Sequence, residues 1–163
     1  MALPINYKRV NQLLKKLGLQ MERLAVERDM PQDIKEHVLI KAEDRQYAFQ
    51  LAISVIEEIT NHLLIRLYNQ DLQDPWSAFQ FLAKEKIITF DCINGLLKLI
   101  ALNKEIKHYY WVDYEDEIKT SIIEHLVDIE NFTSQIINLL VENPPEEVKR
   151  KEADKELFRE ELN

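Results

Sequence analysis

Glycine is almost missing from this chain: Gly18 and Gly95 are the only two in 163 residues, beside five prolines. So few breakers exclude the many tight turns of a β sandwich and the glycine-rich loops that cradle nucleotide phosphates. Long helices joined by short loops are what remains. A single cysteine, Cys92, excludes an internal disulfide and a cysteine-based zinc site. The opening "MALPINYKRVNQLLKKLG" holds no apolar run long enough for a signal peptide or a membrane span. The expectation is therefore a cytoplasmic protein with no membrane partner. Excess positive charge is lacking too. With 29 acidic and 21 basic residues the net charge is −8, which disfavours broad attraction to nucleic acid but leaves room for a local RNA site.

The sequence also lacks H-E-x-x-H, a Walker loop and G-x-S-x-G, which removes the metalloprotease, nucleotide-hydrolase and serine-hydrolase classes. A helical bundle invites a di-iron centre, but that needs Glu-x-x-His motifs on two helices. Of His37, His62, His108 and His125, only His108 has a glutamate three positions earlier, Glu105. No metal and no cofactor are expected.

Helical periodicity is what the chain has in quantity. Val10, Leu13, Leu14, Leu17, Met21 and Leu24 predict a first helix over about 6–28. Pro31 suits the start of a second, running to about Asn69. Its middle carries two apolar stripes, Ala48, Ala52, Val55, Ile59, Leu63 and Phe49, Ile53, Ile56, Leu64, so it belongs at the centre of a bundle. Asp74-Pro75 is a cap followed by a first-turn proline, opening a short helix with Trp76, Phe79 and Leu82 expected inward. A fourth helix is expected from Phe90 towards Tyr110 with Thr89 as its cap. A fifth, from Tyr114 to Glu142, has the stripe Ile118, Ile122, Leu126, Ile129, Ile136 and Leu140. The fold class is all-α, an antiparallel bundle of about five helices over residues 1–143. Residues 144–163 form a charged C-terminal tail after Pro144 and Pro145, expected to fray.

Two polar groupings interrupt these stripes. Glu58, Asn61 and His62 gather late in the second helix, with Glu58 and His62 at touching distance in sequence. They read either as a satisfied polar network or as support for a site on a neighbouring helix. In "NKEIKHYYW", Lys104 and His108 continue the stripe of Ile93, Leu97 and Ile100, while Asn103 and Tyr110 continue that of Leu96, Leu99 and Ile106. Periodicity alone makes His108 a residue stabilised by the helix C-terminus, where a cation meets the dipole.

The order of these pieces resembles the HepT-like branch of the HEPN superfamily, over roughly residues 30–135. The resemblance rests on "EEITNHLL" with Glu58, Asn61 and His62, then "SAFQFLAKEKII", then "HYYWVDYEDEI" before a long final helix. It implies an HEPN-like bundle, a homodimer, and a toxin-type component paired with a minimal nucleotidyltransferase antitoxin. The family's Arg-x4-His motif implies metal-independent RNA cleavage, with histidine as acid or base and arginine stabilising phosphorane charge. By position His108 matches the histidine, and Tyr110 the tyrosine that the partner adenylylates. The motif arginine is replaced by Asn103, which carries no charge; Lys104 is the nearest substitute, a point charge without a planar fork. The departure implies impaired or rewired chemistry, or a degenerate member kept as a protein-interaction module. On this ground an Asn103→Arg change is expected to restore charge at the phosphate.

Overall fold

Asn6 starts the first helix: its backbone is extended and its side chain accepts a 3.0 Å hydrogen bond from the Arg9 N–H. Helix α1 then runs Tyr7–Asp29 and buries Val10, Leu17, Gln20 and Leu24. The computed structural model describes residues 2–35 and 41–162. Among these the chain is helical throughout, with no strand.

The helix expected over 32–69 is not continuous. A four-residue α2, Gln32–Lys35, follows Pro31, and α3 begins only at Ala42. Lys41 is extended (φ −65°, ψ 149°), and Glu43 and Asp44 occupy the first turn, where carboxylates favour a helix N-terminus. Residues 36–40, including His37, lie outside the described residues. From there α3 (Ala42–Tyr68) behaves as its double stripe demands: both apolar rows are buried, and it packs against α1, α4, α5 and α6. Asn69 closes it in the left-handed region (φ 52°), with Gln70 N–H donating back to the Leu64 carbonyl at 3.1 Å.

Helix α4 (Pro75–Lys84) is capped as expected, Asp74 accepting from the Ser77 N–H at 3.1 Å and the Ser77 hydroxyl at 2.9 Å. Its buried face is Ala78, Phe79, Leu82 and Ala83; Trp76 is 45% exposed, contrary to expectation. At about 100° per residue Trp76 falls a quarter-turn from the centre of that face. A 3-10 turn, Phe90–Cys92, leads into α5 (Ile93–His108). Thr89 gives no side-chain cap there. Instead its N–H donates to Gln135 Oε1 (3.0 Å) and its hydroxyl accepts from Gln135 Nε2 (2.7 Å), which ties the turn to α6.

Helix α6 (Glu115–Glu142) buries Ile118, Ile122, Leu126, Ile129 and Ile136 from the expected stripe, with Leu140 partly buried. It runs antiparallel to α1, whose first residue Tyr7 donates its hydroxyl to the Asn143 carbonyl at 2.5 Å. The tail expected to fray is a helix, α7 (Glu146–Leu162). Glu, Lys, Arg, Ala and Leu are strong helix formers and dominate this segment. Leu157 and Phe158 stand exposed on it.

Candidate functional site

Helix α5 decides where the polar residues of "NKEIKHYYW" stand. Ile93 and Ile100 are buried and Leu97 partly so, but the same stripe emerges into solvent at Lys104 and His108. The second stripe stays inside through Leu96, Leu99, Asn103 and Ile106. It does not continue to Tyr110. The helix ends at His108, Tyr109 takes φ −109° and ψ 54°, and Tyr110 lies past the end, 82% exposed.

Lys104 and His108, four residues apart, share one exposed helix face with roughly 5–6 Å between their β-carbons. Lys107 is exposed beside them, so the last two turns of α5 gather basic groups on an acidic protein, where the helix dipole favours them. Beyond them Tyr109, Tyr110, Trp111 and Val112 form a run of exposed apolar residues. The rings stack edge to face in a chain: His108 on Tyr109 at 4.5 Å, Tyr109 on Trp111 at 5.7 Å, and Tyr110 on Trp111 at 5.3 Å. The Val112 N–H to Tyr109 carbonyl bond at 2.9 Å holds this turn, and Tyr114 buries its ring behind it.

Asn103 is not with them. It is 1% exposed, and its Oδ1 has no hydrogen-bond partner among the described residues. From inside the bundle it does not share the exposed face of Lys104 and His108. An arginine at 103 would enter the core.

The Glu58–Asn61–His62 grouping is divided by the fold. Glu58 reaches α1 and pairs with Arg9 at 2.5 Å. His62 Nε2 accepts the Asn6 N–H at 3.1 Å, so it caps the start of α1 from across the bundle. Burial first, then the Arg9 and Arg66 charges, push the His62 pKa below its ordinary value; Glu58 opposes them. Glu58 and His62 thus act as a structural network between α1 and α3. Asn61 faces the other way, into a cavity of about 110 Å³ shared with Glu57, Thr60, Gln73, Phe79 and Ile100. Ile100 lies eight residues before His108, about 12 Å along α5, so the grouping is not brought to the histidine.

Other polar groups are absorbed by packing. Arg45 is buried, bonding Glu27 at 2.5 Å and Glu115 at 3.3 Å, which joins α3 to α1 and α6. Its two glutamates, on two other helices, gave no sequence pattern by which to find it. Cys92 is no nucleophile: burial, with Asp91 and Asp128 nearby, pushes its thiol up to about 11. Asp128 contacts His125 at 3.3 Å and rests on Gly95, where a β-carbon would meet its Oδ2 at 1.8 Å.

No protein-family model matches this chain, and no curated protein matches it. Solved structures share its fold. A cytosolic protein of unknown function from Bacillus subtilis, YutE, superposes with a TM-score of 0.72 at 21% identity, over 88% of this chain and 96% of that one. A toxin–antitoxin crystallised with AMP-PNP superposes with a TM-score of 0.57 at 18% identity, over 78% of this chain and 96% of that one. The fold of this chain is thus one also used by a toxin–antitoxin component.

Proposed function

We propose that this chain is a HEPN-type, toxin-like component of a two-protein toxin–antitoxin pair, acting as a homodimer on RNA from the end of α5. The observation that carries the proposal is Lys104 and His108 side by side on an exposed helix face, in a fold that a toxin–antitoxin component also adopts. In this reading His108 takes the proton of a ribose 2′-hydroxyl as its oxygen attacks the adjacent phosphorus. The P–O5′ bond breaks, a 2′,3′-cyclic phosphate forms, and the proton goes to the leaving 5′ oxygen. Lys104 offsets charge on the non-bridging oxygens as a single point charge, weaker than a bidentate arginine. The chemistry is therefore weak.

The partner in this reading is a minimal nucleotidyltransferase that adenylylates Tyr110. Its exposure suits a modifying enzyme, and a structural relative with bound AMP-PNP suits a nucleotide-using pair. The added phosphate would lie beside His108 and block RNA. Incubation with an active minimal nucleotidyltransferase and ATP, followed by peptide mass mapping, tests this. The expected product carries one adenylyl group on Tyr110. Modification of Tyr109 would show the register to be wrong, and an unmodified chain from an active enzyme would remove the partner from the account.

A second reading has its own observation. Asn103 is withdrawn into the core, and the turn after α5 exposes Tyr109, Tyr110, Trp111 and Val112 together. Those features fit a catalytically degenerate HEPN module that binds a protein with this end of the bundle.

A further inference from the structure

The cavity between α3, the start of α4 and α5 has a lining that the proposed chemistry does not use. Its floor is apolar, from Phe79 and Ile100, and its walls carry Glu57, Thr60, Asn61 and Gln73. Its volume, about 110 Å³, is of the order of the ~150 Å³ cavity known to accept one benzene ring. It can therefore admit one six-membered ring edge-on, with any ring fused to it left in the cavity's open mouth.

The walls are rich in acceptors. The Thr60 hydroxyl spends its proton on the Ile56 carbonyl at 2.8 Å, leaving lone pairs. Gln73 Nε2 donates to Asp71 at 2.6 Å, which leaves its Oε1 free to accept. Glu57 brings a carboxylate, and it forms no ion pair among the described residues. A ligand for this site must bring donors to a flat edge.

Lys104 stands one turn beyond Ile100 of the lining on α5. Gln73 and Pro75 of its lining flank Asp74, whose carboxyl is held below its usual range chiefly by hydrogen bonds from Ser77 and in lesser part by the Lys104 ammonium. Along α5, Ile100, Lys104 and His108 follow one another at one-turn intervals.

We propose that this cavity is a base-specificity subsite for guanine, placed on the strand next to the nucleotide cleaved at His108. The inference rests on the RNA reading above. Guanine presents N1–H and the N2 amino group side by side, a matched pair for the Glu57 carboxylate, with Asn61 and Gln73 taking the remaining edge. Uracil offers a single N3–H, flanked by two carbonyl oxygens that the carboxylate repels. Adenine and cytosine each offer only one amino group. The phosphate of the seated nucleotide falls at Lys104, and the next linkage reaches His108.

Nuclear magnetic resonance titration of the isotope-labelled full chain with guanosine 5′-monophosphate, uridine 5′-monophosphate and inorganic phosphate tests this. Guanosine monophosphate is expected to shift Glu57, Thr60, Asn61 and Gln73 and to bind at least about tenfold more tightly than uridine monophosphate. Glu57→Gln should abolish that preference while the rest of the spectrum stays unchanged. Shifts confined to Lys104 and His108, equal for all three anions, would overturn the subsite. Guanine-selective binding in a chain without His108-dependent RNA cleavage would uphold the pocket and remove the nuclease reading. Cleavage with no preference for a neighbouring guanine would overturn the pocket and leave the nuclease.

Discussion

Asn103 and Lys104 are neighbours in sequence, yet one is sealed in the bundle, its Oδ1 unpartnered among the described residues, while the other stands in solvent one turn before His108. An unsatisfied buried acceptor costs about 1–3 kcal/mol. Asn103→Leu, which keeps the branching and removes the polar atoms, should therefore raise stability by about that amount. The midpoint of thermal unfolding should rise by about 2–4 °C per kcal/mol. Asn103→Arg should do the reverse, since an unpaired buried charge is strongly destabilising. This replaces the expectation from sequence that arginine there restores chemistry. A lower midpoint for Asn103→Leu would show that the asparagine is satisfied in the native protein.

Gly95 lets α5 and α6 approach. Alanine there would gain about 0.8–1 kcal/mol of helix propensity, but its methyl would displace Asp128, and overpacking of this kind costs about 1–3 kcal/mol. Gly95→Ala is expected to be less stable than the parent. In an Asp128→Ala background the same change should become neutral or favourable, a coupling that chemical denaturation of the four proteins measures. Additive effects would show that Asp128 is not the obstacle.

His62 gives the fold a pH dependence. Its folded pKa lies below its ordinary value, and the neutral ring is the one that accepts the Asn6 N–H. The unfolded chain then binds more protons between the two values, so stability is full above about pH 6.5, the unfolded pKa, and falls as pH drops through the folded one. His62→Gln keeps an acceptor and cannot titrate. Its stability profile between pH 7 and 5 should be flatter than the parent's; identical slopes would assign the dependence elsewhere.

The residues explain what could be read in advance and what could not. The double stripe of α3 and the Asp74-Pro75 cap are local signals, and both appear in the fold as the pattern demands. Trp76 and Tyr110 were misplaced because helical phase was extended to the flank of one stripe and past the end of the other. Glu58 and His62 had been paired by their spacing, but their partners, Arg9 and Asn6, come from a helix some fifty residues away in sequence. Asn103 matched a motif position by number. Its burial followed from the stripe of Leu96, Leu99 and Ile106, which sequence alone already displayed. The cavity residues Glu57 and Gln73 carried no motif, since the two walls meet only when α3 and the start of α4 fold together.

Cleavage of single-stranded RNA in the presence of a metal chelator tests the central claim most directly. The parent chain should cut slowly, with 2′,3′-cyclic phosphate ends; His108→Ala should not cut at all, and Lys104→Ala should be slower by a factor of about 10² to 10³, the usual loss for one electrostatic contact to a transition state. RNA left intact by the parent, or cut equally by His108→Ala, would contradict the account and leave the α5 end as a protein-binding surface.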